Sequence, residues 1–213
     1  MVTINKNIVF WVLFLSFTSM SCSGQNKQII NSENSEYKQE KHITMDTVKK
    51  LDIEKFYLNQ AKYKSAAFIL NDSTKIQQFE TKECFVEYIM PNGYLFKEYN
   101  AYYKNSGMLY ETGLVYKDGF IKGVMKTYSE SGELIKEEDY DAPFTFTFED
   151  ILGYLKDNEM DIYSDRVRVG RYTGNNQDSY WTVECKISDY LIRKTLDGRT
   201  GELLKTEKVQ LRK

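Results

Sequence analysis

Tyr103-Lys104-Asn105-Ser106-Gly107-Met108-Leu109 is answered 25 residues later by Tyr128-Ser129-Glu130-Ser131-Gly132-Glu133-Leu134, with Tyr, Gly and Leu all in register. A weaker copy, Asn92-Gly93-Tyr94-Leu95, stands upstream, and Lys117-Asp118-Gly119 with Gly123 supplies the intervening turn. A repeat of this kind decides the architecture first, because each copy must be one supersecondary unit. Each unit reads as a strand ending in an aromatic, a tight turn using Gly where φ must be positive, and a second strand. Gly93 to Asp141 is therefore expected to form an antiparallel hairpin ribbon. Its tyrosines would stack along a face, where cross-strand aromatic pairs contribute roughly 0.5–1 kcal/mol apiece.

Working upstream, Leu51-Asp52-Ile53-Glu54-Lys55-Phe56-Tyr57 suits a short helix with Ile53 and Phe56 inward. Strand-like runs follow at Ser65 to Leu70, Ile76 to Phe79 and Cys84 to Met90, punctuated by Asn71-Asp72-Ser73 and Pro91-Asn92-Gly93. Downstream, the ribbon breaks at Asp141-Ala142-Pro143. Thr147 then stands as N-cap, with Asp150 three residues on, before Phe148, Ile151, Leu152 and Leu155 at helical spacing. Val167 and Val169 alternate with Arg166, Arg168 and Arg171, an arginine trio read as an exposed sheet face or a docking point for an acidic partner. Trp181, Val183, Cys185 and Ile187 alternate with Thr182, Glu184 and Lys186, giving one dry and one wet face. Asp197-Gly198-Arg199-Thr200-Gly201-Glu202 is a hairpin turn, and a closing strand ends near Leu211. The expected fold class is α+β, mainly β: a hairpin ribbon followed by a helix packed on a small antiparallel sheet. Residues 49–141 would form one β-rich domain and 142–213 a second module.

The Tyr…Gly-x-Leu units resemble the bacterial variant of the MORN repeat, whose pattern is an aromatic, a short Gly turn and a Leu two residues after that Gly. The resemblance covers about 50 of the 213 residues, with two clear units and one degraded one. It implies antiparallel hairpin arrays, and many bacterial members of that family are antitoxin or immunity-type proteins. The helix, the strands with Trp181 and the Asp-Gly-x-Thr-Gly-Glu turn look like a PepSY-type module, a topological likeness that implies protease inhibition or periplasmic binding. Helix-on-sheet packing alone accounts for the same pattern.

The N-terminus reads differently. Lys6 is the only charge in residues 1–21 and precedes the apolar run Ile8 to Phe17, followed by small residues and Cys22. That order is a secretory signal peptide, too short to span a bilayer. Cys22 at the cleavage point resembles the lipobox of bacterial lipoproteins, with Ser21 fitting the small position and Ser19 standing where Leu is usual. The resemblance implies acylation of Cys22; ordinary secretion, with Cys22 a bystander, is the alternative. Residues 22–48 are polar with little apolar periodicity, a tether that as a flexible coil of about 25 residues reaches roughly 25–30 Å. The expected location is the bacterial cell envelope, lipid-anchored and facing the periplasm or the cell surface. Cys84 and Cys185 lie in strand-like patterns and read as buried thiols, though an oxidising compartment would also permit a disulfide.

With 29 Lys+Arg against 31 Asp+Glu, the formal charge of −2 does not favour nucleic acid as a partner. The single histidine, His42, falls in the tether, so a Ser–His or Cys–His pair is not expected in the body. No nucleophile elbow, phosphate loop, zinc spacing or calcium loop is present in the sequence. Glu133, Glu137, Glu138, Asp139 and Asp141 crowd one ribbon edge and read as a solvated acidic face. No catalytic residue, metal or cofactor is assigned. The expectation is a non-enzymatic, membrane-tethered protein that binds another protein, most concretely an immunity protein occluding a secreted toxin. Tyr103, Tyr110, Tyr116 and Tyr128 are the candidate contact residues, since tyrosine gives large contact area at low entropy cost. An envelope scaffold without a toxin partner is the alternative, and a lipid- or glycan-binding surface the third reading.

Overall fold

The structure is a computed structural model that describes residues 49–63, 67–174 and 178–211. The expected leader, Cys22 and the tether lie outside the described residues, as does the start of the strand expected from Ser65.

Helix α1 (Ile53–Tyr63) opens the body and is followed by seven strands: β1 (Ala67–Ile69), β2 (Lys75–Glu80), β3 (Cys84–Met90), β4 (Phe96–Tyr103), β5 (Leu109–Tyr116), β6 (Ile121–Tyr128) and β7 (Leu134–Asp139). They pair in chain order as one antiparallel sheet. Helix α2 (Phe148–Asp157) leads into β8 (Val167–Thr173), β9 (Ser179–Ile187), β10 (Tyr190–Asp197) and β11 (Leu203–Gln210), a second antiparallel meander. The protein is thus α+β and mainly β, as its patterning indicated.

The local signals act where they were read. Gly107 and Gly132 both sit at positive φ, +69° and +89°, in the two echoing turns. The turns are not identical. Tyr102 faces Leu109 across the first hairpin, whereas Tyr128 faces Leu134 across the second, so the registers differ by one residue. Thr147 caps α2 through a capping box: its hydroxyl accepts from the Asp150 N–H at 3.2 Å, and the Asp150 carboxylate accepts from the Thr147 N–H at 2.7 Å. Asp197 closes the β10–β11 turn by accepting from the N–H groups of Arg199 and Thr200, both at 2.8 Å.

Two hydrophobic clusters hold the body together. The larger gathers Phe148, Ile151 and Leu155 of α2 with Leu95, Phe96 and Tyr116 of the first sheet and Val167, Val169, Trp181, Val183 and Leu196 of the second. Residues on both sides of the Asp141–Ala142 break therefore share one core rather than forming two separately packed modules. Each such buried side chain contributes about 1.5–3 kcal/mol relative to exposure. The smaller cluster joins Leu51 and Phe56 to Phe85, Tyr102 and Leu109, seating α1 on the first sheet.

Arg171 departs from its expected place. Counting by twos from Val167 puts it on the core face, because alternation along a strand has period two. Its side chain is 5% exposed, pairs with Asp141 and donates to the Ile121 carbonyl. Its guanidinium lies 4.9–5.7 Å from the ring centres of Phe144, Phe120 and Trp181. It ties β8 to β6 and the post-β7 turn and is not part of a surface arginine trio.

Candidate protein-binding face

The register of the first sheet assigns every side chain to one of two faces, and they differ in kind. On the face that carries both helices, one row crosses six strands: Gln78, Glu87, Asn100, Thr112, Lys126 and Glu137 are successive cross-strand partners. The row is polar but joined. Gln78 donates to Glu87 at 2.6 Å, Thr112 donates to Asn100 at 2.8 Å, and Lys126 pairs with Glu137 at 3.2 Å. Asn100, fully buried, spends its amide N–H on Glu98 at 3.0 Å, and Glu98 also pairs with Lys49. Burial acts to raise the Glu98 carboxyl, but the hydrogen bonds from Lys49 and Asn100 and the Lys49 charge together hold it below the usual carboxylate range. This row divides the α1 cluster from the α2 cluster.

Between α1 and the same face lies an open groove of about 500 Å³. Its floor includes Ile76, Gln78, Glu87 and Tyr102, and Lys50, Lys55 and Lys62 stand around it. The Tyr102 hydroxyl donates to Glu87 at 3.4 Å, and burial, then the charges of Glu87 and Glu98, push that hydroxyl's pKa upward. Tyr63 stacks on Phe68 at 4.5 Å along one wall.

The opposite face carries neither helix, since Phe56 packs on Phe85 and Phe148 packs on Phe96 and Tyr116, all on the first face. Here Phe79, Tyr88 and Tyr99 run as a strip across β2, β3 and β4, with centroid spacings of 6.1 and 5.4 Å. Beneath them Val86 and Ala101 are buried, facing each other across the ladder. Lys97 lies over the Tyr88 ring at 4.2 Å, an arrangement that favours the cation electrostatically. Tyr99 stands opposite Gly113, over which Met125 folds; a Cβ on that glycine would meet the Met125 Sδ at 2.8 Å. Burial, and then the Glu111 charge and hydrogen bond, raise the Tyr99 hydroxyl well above the ordinary tyrosine value. The strip is half-buried and aromatic, with one cation over it.

The four candidate tyrosines divide. Tyr103 and Tyr110 meet edge to face at 5.2 Å. The Tyr103 hydroxyl donates to the Tyr128 carbonyl at 2.9 Å, so the two echoing tyrosines are bonded to one another. The Tyr128 side chain, however, packs against the α1 cluster on the helix-bearing face. Tyr116 is fully buried against Phe96, Phe120 and Phe148. It packs the core and offers no contact surface, because its strand position turns it toward α2. Phe79, Tyr88, Tyr99 and Lys97 were missed; their signal was the same period-two alternation, read across neighbouring strands instead of along one.

The acidic edge is also partly spoken for. Glu137 pairs with Lys126, Glu138 with Lys136, and Asp141 with Arg171. Cys84 and Cys185 are free and part-buried, one in each sheet. Among the described residues no group of His, Cys, Asp and Glu is placed to hold a metal ion, and no helix is long and apolar enough to cross a membrane.

No family model, no curated protein and no solved structure matches the chain.

Proposed function

We propose that this chain is a non-enzymatic lipoprotein, held to the bacterial envelope through Cys22, that binds another protein through the aromatic face of its first sheet opposite the two helices. The concrete form of the reading is an immunity or antitoxin-type protein that covers the working site of a secreted toxin. The observation that carries it is the Phe79–Tyr88–Tyr99 strip with Lys97, on a face to which neither helix contributes. Paired strands hold the backbone beneath those rings, which lowers the ordering cost on binding, and aromatic anchors of this type supply most of an interface's affinity. The bacterial MORN-like units support the immunity form, and a lipid anchor would raise local concentration where a toxin arrives.

The test is protection. Cells challenged with a secreted toxin that the wild-type chain neutralises should lose protection when Tyr88 and Tyr99 are both replaced by Ser, with the envelope level of the protein unchanged. Equal protection by the double variant would remove the aromatic face from the reading. No protection by the wild type, together with an envelope defect on deletion, would favour a scaffold role instead.

A further inference from the structure

Among the described residues the two sheets leave four edges, of which β11 is the longest. β1 is three residues long. β7 ends in Glu137-Glu138-Asp139, three charges of one sign that repel a second copy, whereas β11 carries both signs. β8 lies beside β6, where Arg171 donates to the Ile121 carbonyl. The edge of β11 is different: eight residues, Leu203-Leu204-Lys205-Thr206-Glu207-Lys208-Val209-Gln210, paired on one side only among the described residues. Leu203, Leu204 and Val209 are each about half exposed.

The register says which backbone groups this edge offers. The Leu211 N–H donates to the Asp189 carbonyl at 2.7 Å, so stepping by twos the bonded partners toward β10 are Val209, Glu207 and Lys205. The N–H and C=O groups of Thr206 and Lys208 then point outward, while Leu204 is the extra residue of a bulge that interrupts the ladder. A second antiparallel strand must place its own outward residues against these, which restricts a self-pairing of β11 to a few centres. Centring on Lys205 sets Lys205 against itself, and centring on Glu207 does the same with that carboxylate. Centring on Lys208 opposes two ammonium groups. Centring on Thr206 sets Lys205 against Glu207 twice, by symmetry. Opposite charges directly across a ladder stabilise it and like charges destabilise it.

We propose that β11 is a homodimer edge, at which a second copy of this chain adds antiparallel about a two-fold axis through Thr206 to give a continuous eight-stranded sheet. An isologous contact of this kind closes on itself and leaves the aromatic face of the first sheet free. Lys205 and Glu207 already pair within the chain at 2.8 Å, so both side chains stand on one face and exchange partners across the axis.

Sedimentation of the full chain in mild detergent tests it. The wild type should be dimeric. Lys205→Glu alone, or Glu207→Lys alone, should weaken the dimer about tenfold or more, since each creates two like-charge pairs. The double exchange K205E/E207K should restore it, because every cross-axis pair is again of opposite sign. Thr206→Pro should abolish it by removing the donors at the axis. Far-UV circular dichroism keeps the readings tied to folded protein. A monomeric wild type would overturn the proposal, as would a dimer indifferent to Lys205→Glu or a folded double exchange that stays monomeric. Loss of toxin protection in the Tyr88 and Tyr99 variants leaves this result untouched, so the two readings fail separately.

Discussion

Replacing Asp141 with Ala takes away the carboxylate that faces Arg171 while leaving the guanidinium in place. Arg171 is 5% exposed and cannot turn outward without leaving the core face of β8, whereas Asp141 is 39% exposed. Stripping one partner from a fully buried ion pair costs about 3–5 kcal/mol. Here water replaces part of the lost carboxylate, and the Ile121 carbonyl with the rings of Phe120, Phe144 and Trp181 still hold the cation. The expected loss is about 2 kcal/mol, which for a domain of this size lowers Tm by roughly 4–8 °C. Arg171→Met should cost a comparable amount, because it orphans the Ile121 carbonyl and the Asp141 charge. Once the cation is gone, however, Asp141→Ala should add little. Calorimetry at neutral pH on the two single variants and the double variant measures that coupling, expected at about 1–2 kcal/mol. A Tm change below about 1 °C for Asp141→Ala, or strict additivity in the cycle, would refute the reading of Arg171 as the tie between β8 and the first sheet.

The other expectations concern the first sheet. Tyr99 and Tyr102 carry raised pKa values, so their contribution to stability is fully present below the ordinary tyrosine value near 10 and is lost as pH rises from there through the raised values. The urea midpoint should be level up to about pH 9 and fall above about pH 10, and Tyr102→Phe should flatten the fall. Gly107→Ala should cost about 1–2 kcal/mol from its left-handed backbone alone. It should exceed Gly132→Ala, since its Cβ would also stand 2.8 Å from the Leu51 carbonyl oxygen; equal unfolding midpoints would contradict this. Asn100→Ala strands the Thr112 hydroxyl and one Glu98 bond in the buried row and should lower the urea midpoint by the equivalent of about 1–3 kcal/mol.

Elements governed by local rules were legible in the sequence. The Gly turns, the Thr147 capping box and the Asp197 turn are set by residues within a few positions of each other, and each forms as its chemistry requires. The alternation through Trp181 holds at Trp181 and Val183, but Thr182, expected on the wet face, is buried and Ile187, expected on the dry face, is exposed at the strand end. What depended on pairing between strands was not. The Gln78–Glu137 row exists only once five registers are fixed, and no spacing along the chain announces it. Tyr116 resembled its repeat companions by type, yet its end of β5 faces α2 while Tyr103 faces away from both helices. Arg171 was legible after all: two steps beyond Val169 is the dry side of the strand, and its charge obscured a parity that was already written. The acidic crowd at β7 is exposed as read, with Glu137 paired to its cross-strand neighbour Lys126 and Glu138 to Lys136 on the same strand.

The face of the first sheet opposite α1 and α2 is proposed to grip another protein. Its most direct measurement is affinity purification from envelope extracts, comparing wild type with the Tyr88→Ser, Tyr99→Ser double variant and with a Tyr172→Ser control on the second sheet. One stoichiometric protein should be retained by the wild type and by the control and lost by the double variant. Equal retention by all three folded proteins, or no stoichiometric companion for any of them, would contradict it.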